Sequence, residues 1–337
     1  MKLPADKVSR LRAFYEGRAV CVTGGAGFIG GHLVDALLSM GAEIRVVDDL
    51  SNATLEHLSG LMELEPDRVQ FIHGSILDDD ALKKAISGAS AVFHLAALGS
   101  VPRSIEQPQR TWSVNATGTL RVLEAARAAR VARVVYAASS SAYGDQPELP
   151  KVETQIPRPL SPYAASKLAG EHLLSVWAQC YGLSTISLRF FNVFGPRQNA
   201  DSAYAAVVAA FAKALLAGER PVIYGDGSQT RDFTFVSNAV LALLLGGASS
   251  SRLAGQVVNV GTGSRISVSD LAAMMGSIAG HGEPGPERRP ARPGDVLHSQ
   301  ADISAARALL GYEPVATLQD GLAETMEWFR RSALAGA

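Results

Sequence analysis

Tyr163 and Lys167 stand four positions apart in the run Tyr163-Ala164-Ala165-Ser166-Lys167. On a helix that spacing places both on one face, one turn apart. An ammonium held beside a phenol favours the phenolate and lowers a tyrosine pKa from about 10 toward neutrality. The result is a base able to take a proton from an alcohol. The same two residues also suit an ordinary contact on a helix surface. Their chemistry therefore depends on what the rest of the chain brings to them.

Gly24, Gly27 and Gly30 follow the short apolar run 19–23 and open an apolar-periodic stretch from Phe28 to Met40. Glycines at that junction allow a tight turn, and they let a pyrophosphate approach the backbone and sit on the helix N-terminus. Asp48 ends the next strand pattern, where an acid can hold ribose hydroxyls. A carboxylate there would repel a 2′-phosphate, so NAD is expected rather than NADP.

The elements that must position these groups alternate. Strands are expected at 19–23, 44–47, 69–72, 91–95, 134–138 and 184–190, and helices at 28–40, 78–87, 110–129 and 162–181. Pro162 suits the first helical turn, with Ser161 as its cap. Such alternation implies an α/β fold, a Rossmann-type doubly wound parallel sheet. After Asn192 the rhythm changes. Helices are expected at 203–217, 238–245, 268–279, 303–310 and 318–330, with strands at 221–224 and 257–260. Stretch 282–294, rich in Pro, Gly and Arg, reads as a loop, and 147–159 as a loop over the surface. Residues 1–192 are expected to bind NAD. Residues 193–337 form mainly a smaller C-terminal α/β substrate lobe, with later strands near 234–262 returning to the first sheet.

Composition excludes several classes. Of 337 residues, 47% are hydrophobic and 19% charged, and the net charge is −1, so neither nucleic acid nor an anionic membrane is favoured as a partner. Cys21 and Cys180 form no metal-ligand spacing, and the seven histidines read as structural, so no metal is expected. The longest apolar run, 240–245, is too short to span a bilayer. The N-terminus carries no signal-peptide pattern, and the cytoplasm is the expected compartment.

Three serines, Ser139, Ser140 and Ser141, follow the fifth strand pattern, at the sheet edge where open α/β folds bind ligands. With the glycine turn and Tyr163-x-x-x-Lys167, they resemble the extended short-chain dehydrogenase/reductase superfamily. Ser139, four before Tyr143, matches its catalytic Ser/Thr. Dehydratases and decarboxylases of that branch carry acids just after this position. Here Ser140 and Ser141 stand there, which leaves oxidation and re-reduction at one carbon. The blocks Ala96 to Ile105, Ser139 to Gly144, Ser161-Pro162-Tyr163, Arg189 to Gln198, Arg231-Asp232-Phe233 and Arg292 to Val296 are similar to those of UDP-hexose 4-epimerases. Among these the likeness is greatest to bacterial enzymes acting on UDP-N-acetylglucosamine.

That resemblance implies roles residue by residue. Tyr163, Lys167 and Ser139 would be catalytic. Phe28, Ile29, Asn52, Ser75, Ile76, Leu95, Ala96, Ala97, Asn115, Ala137, Phe190 and Val193 would join the glycines and Asp48 around NAD. Ser75 stands where the family usually places an Asp near adenine. Asn192 would bind the UDP diphosphate, with Arg231 and Arg292 as cationic clamps, while Arg288 and Arg289 remain a solvated charge run. Asp295 would hold a ribose hydroxyl, and Ala206, Val207 and Tyr224 would lie toward the nucleoside. Gly99, Ser100, Ser140, Ser141 and Ser299 would surround the hexose, with Gly99 and Ser299 small enough for an N-acetyl arm. The reaction implied is NAD-dependent interconversion of UDP-GlcNAc and UDP-GalNAc through a 4-keto sugar. The alternative is a 4-epimerase of UDP-glucuronate or UDP-N-acetylglucosaminuronate, with Arg103 pairing the carboxylate. A UDP-glucuronate decarboxylase and a non-catalytic NAD-binding protein are the further readings. A homodimer formed by helices 110–129 and 162–181 is also implied.

Overall fold

The computed structural model describes residues 5–200, 206–280, 285–291 and 296–335. Seven parallel strands form one sheet: β1 (Ala19–Thr23), β2 (Glu43–Asp48), β3 (Val69–His73), β4 (Ala91–His94), β5 (Arg133–Ser139), β6 (Ser184–Phe190) and β7 (Ala254–Val260). Their order is β7-β6-β5-β4-β1-β2-β3. β4 and β6 are buried at every residue, as expected where helices cover both faces of a parallel sheet. The expected return of a late strand is met by β7, which pairs with β6 from Ala254 to Val260.

One face is covered by the helix Phe28–Ser39 and by Val236–Ala248. The second is apolar on every side and buried over almost its whole length, which suits a helix enclosed by its neighbours. The N-terminal helix Ala5–Tyr15 locks onto it, where the Tyr15 hydroxyl donates to Leu244 O at 2.7 Å. The other face carries Asp79–Ile86, Gly118–Ala128 and Pro162–Tyr181. Asp78 caps the first of these by accepting from Asp80 N and Ala81 N, and Ser161 caps the last by accepting from Ala164 N.

Four expectations are corrected. The expected helix 110–129 is a composite: Pro108–Trp112, a π-turn over Ser113–Thr117, then Gly118–Ala128, preceded by a short helix Val101–Glu106. The expected loop 282–294 contains the strand Glu287–Arg289, paired in parallel with Val222–Tyr224. Arg288 and Arg289 are therefore strand residues: Arg289 pairs Glu287 at 2.8 Å, and Arg288 donates to Asp226 O. The loop 147–159 does not merely cross the surface, because Lys151 is buried and bridges Ala301. Finally, the helix expected from 203 begins at Val207, and 201–205 lie outside the described residues.

Candidate active site

The sheet order reverses at β1, which has β2 on one side and β4 on the other. Ligands of open α/β sheets bind at such a switch, beyond the C-terminal strand ends. There the chain leaves a cavity of about 620 Å³. The turns after β1, β4, β5 and β6 contribute Gly24, Leu95, Ser139 and Asn192 to its wall.

The glycine turn is a backbone cradle. Gly24 has φ +73°, and a Cβ there would lie 2.6 Å from Ala96 N. A Cβ on Gly30 would collide with Gly24 O. Gly27 is the N-cap of Phe28–Ser39, and no side chain caps that terminus. Its first-turn N–H groups thus suit a phosphate. Asp48 accepts from Ala26 N at 3.1 Å and from Leu50 N at 2.9 Å, while its side chain stays on the cavity wall. Burial pushes its pKa up, and the two N–H donors oppose the rise. The donor set and the open helix end fit a dinucleotide.

The reacting end lies on β5 and the helix Pro162–Tyr181. Ser139, in extended backbone, accepts from Ser141 N at 3.2 Å, and the two hydroxyls are 2.8 Å apart. Ser139 also acts on Tyr163, opposing the rise of its pKa. Burial causes that rise, and the serine only partly counters it. The lowering expected from Lys167 is not what sets this phenol. The Lys167 ammonium donates instead to Ala137 O at 2.8 Å and lies 4.8 Å over the Tyr136 ring. Burial lowers its pKa to about 7, against a smaller upward pull from Glu171.

The cavity wall gathers most residues read from the sequence. On the cofactor side it takes Gly24, Gly27, Phe28, Ile29, Gly30, Asp48 and Asn52. Ile76, Leu95, Ala96, Ala97, Ala137, Lys167, Phe190 and Val193 continue it. Toward the other end it takes Gly99, Ser139, Ser140, Ser141, Tyr163, Asn192, Ala206, Arg231 and Ser299.

Five expected residues stand off the wall. Asn115, on the π-turn, is 1% exposed and turned inward: it accepts from Leu98 N at 2.8 Å and donates to Leu98 O and Ser166 Oγ. Ser75 accepts from Leu77 N, and Ser100 caps the helix Val101–Glu106. Val207 starts its helix and Tyr224 ends its strand, both away from the wall. Arg103, expected as a partner for a sugar carboxylate, is not itself on the wall, and it donates to Asn52, which is. Arg292 and Asp295 lie outside the described residues.

The wall also holds residues the sequence reading missed, among them Tyr143, Gly144, Lys151, Leu160 and Gln198. The run Ala142-Tyr143-Gly144 after the serines was the available signal. Lys151 had none. A further omission is Asp232, fully buried and accepting from Thr262 N, Thr262 Oγ1, Gly263 N and Ala301 N. It fixes the chain on either side of Arg231 and Ser299. Among the described residues no cluster of His, Cys, Asp or Glu suits a metal, and no helix is long and apolar enough to cross a membrane.

A nucleotide cradle at the switch point, joined to the Ser139-Tyr163-Lys167 group, defines a short-chain dehydrogenase/reductase of the extended kind. The NAD dependent epimerase/dehydratase family matches residues 20–261, and the chain belongs to it. The protein is an NAD-dependent isomerase. It is 41% identical over 315 residues to a UDP-glucose 4-epimerase of Mycolicibacterium smegmatis, covering 93% of this chain and 98% of that one. A UDP-N-acetylglucosamine 4-epimerase from Methanobrevibacter ruminantium, solved with UDP-N-acetylmuramic acid, matches with TM-score 0.87 and 36% identity, over 94% of this chain and 99% of that one. MoeE5 bound to UDP-glucuronic acid and NAD matches with TM-score 0.84 and 38% identity, over 93% and 99%.

Proposed function

We propose that the protein interconverts the C4 epimers of a UDP-hexose, with UDP-GlcNAc and UDP-GalNAc as the pair. The observation that carries the choice of sugar is Gly99. It lines the cavity, and a Cβ built on it meets nothing within 4 Å. With Ser299, also small, in the same wall, this leaves room for an N-acetyl arm. Relatives similar over nearly their whole length act on UDP-sugars by name, which supports the nucleotide.

Tyr163 takes the proton of the sugar 4-hydroxyl, and Ser139 holds that oxygen within reach. Bound NAD would supply the acceptor and then the donor of the C4 hydride, and its positive charge would favour the phenolate. Lys167, anchored on Ala137 O, keeps an ammonium beneath the site. Asn192 and Arg231 hold the diphosphate while the 4-keto sugar turns over. Ser140 and Ser141 offer no carboxylate for elimination or decarboxylation. On this reading residues 1–192 with β7 bind NAD, and the later segments hold the UDP-sugar. A homodimer through the helices Pro108–Trp112, Gly118–Ala128 and Pro162–Tyr181 is part of the proposal. The exposed Trp112, Val176 and Tyr181 on these helices favour it.

The test is product analysis by NMR after incubation with UDP-GlcNAc, UDP-glucose and UDP-glucuronate. Formation of UDP-GalNAc is expected. A 4-epimer from UDP-glucuronate alone would overturn the choice of sugar, and absence of any 4-epimer would overturn the activity.

A further inference from the structure

Three cations line the cavity among the described residues: Lys167, Arg231 and Lys151. The first serves the proton transfer and the second the diphosphate. Lys151 has no assignment, yet its environment is the most restrictive. It is 1% exposed and shares the wall with Tyr143, Gly144 and Ser299. Its main chain is fixed from two sides. The amide donates to Gln300 O at 2.7 Å, and the carbonyl accepts from Asp302 N and from Asn259 Nδ2, each at 2.9 Å. The bridge to Ala301 thus places Lys151 beside the segment that carries Ser299.

The side chain is less well satisfied. Its Nζ donates to Gln146 O, and among the described residues no carboxylate pairs with it at ion-pair distance. Asp145 and Glu148 act on it only through their charge. An ammonium has three N–H donors and no acceptor. A buried charge with donors to spare is costly unless an acceptor arrives. Here the wall of a binding cavity is where that acceptor can come from. Ser299 and the Ser139–Ser141 turn line the same cavity.

We propose that Lys151 is a sugar-binding, specificity-determining residue: its ammonium donates to an exocyclic oxygen of the bound hexose, most strongly to a carboxylate. This rests on the reading that the cavity holds a UDP-hexose. It gives the site a cation for an acidic sugar, and it gives a role to a lysine buried in the loop 147–159.

The test is calorimetric titration of NAD-loaded Tyr163→Phe protein, whose interconversion of its ligands should be slowed at least about a hundredfold, with UDP, UDP-GlcNAc and UDP-glucuronate. Adding Lys151→Met should leave UDP binding within about twofold. It should weaken UDP-GlcNAc several-fold and UDP-glucuronate by about tenfold or more, since a hydrogen bond to a charged group is the larger loss. Lys151→Gln, one bond shorter but uncharged and still a donor, should retain UDP-GlcNAc better than UDP-glucuronate, and it carries the same comparison should Lys151→Met not fold. Equal weakening of all three ligands, or no change in any, would overturn the proposal and leave the functional reading intact. Failure of the Lys151-bearing protein to bind any of the three would overturn the functional reading and this proposal with it.

Discussion

Glu171 and Arg189 face each other through two hydrogen bonds, 2.8 and 2.7 Å long, with both side chains 3% exposed. Glu171 lies one helical turn beyond Lys167, so Tyr163, Lys167 and Glu171 form one stripe along the helix. Arg189 in turn stacks 4.5 Å over the ring of Tyr143, whose hydroxyl donates to Asn259 Oδ1 at 2.7 Å. Tyr163 and Lys167 thus share their helix with a buried ion pair.

Breaking that pair should cost stability more than removing it. Glu171→Gln leaves a buried guanidinium without its counter-charge, and a loss of about 3–5 kcal/mol is expected. The double change Glu171→Met with Arg189→Met should cost less than either single change. Urea titrations of the three variants check the order.

Tyr163→Phe removes the base and should lower kcat by about 10²–10⁴-fold. Binding of a UDP-sugar should persist, because the diphosphate contacts are elsewhere. Ser139→Ala should lower kcat less, since the phenol remains. Steady-state rates with calorimetric affinities separate the two effects; full turnover by Tyr163→Phe would contradict the assignment.

The stability of the protein without nucleotide should rise with pH above neutrality. Lys167 titrates near 7 in the fold, against about 10.4 in an unfolded chain. Between those values the unfolded chain holds a proton that the folded one has shed. Unfolding free energy therefore climbs there by up to about 1.4 kcal/mol per pH unit, and it is flat with respect to this group below that window. Lys167→Met should remove that slope in urea titrations at a series of pH values.

The glycines should separate folding from cofactor binding. A Cβ at Gly27 meets only Gly24 O, at 3.3 Å, so Gly27→Ala should change Tm little while weakening NAD by crowding the pyrophosphate. Gly24→Ala forces a left-handed residue into Ala96 and should lower both Tm and NAD affinity. Thermal melts with and without NAD distinguish the two patterns.

Legibility followed locality. Strands β1 to β6, the glycine turn, the Pro162 helix start and the Tyr163–Lys167 face are written in spacings of a few residues, and the structure places them as read. The π-turn that carries Asn115 is invisible to a 3.6-residue pattern, and so are the bonds of Asn115 to Leu98 and Ser166. Glu287–Arg289 was read as loop because its pairing partner, Val222–Tyr224, is distant in the chain. Lys151 and Asp232 were missed for the same reason: their burial comes from segments around Ala301, which no local pattern announces.

The seventh strand has a consequence for how the chain can be divided. β7 forms the outer edge beside β6, although more than sixty residues separate Phe190 from Ala254. A fragment ending at 192 would expose β6, buried at every residue, as a bare apolar edge open to pairing with other chains. The nucleotide half therefore cannot be prepared as a soluble piece by simple truncation. Synthesis must pass Val260 before β6 is covered, so the edge stays open to wrong pairing while the intervening segment is made.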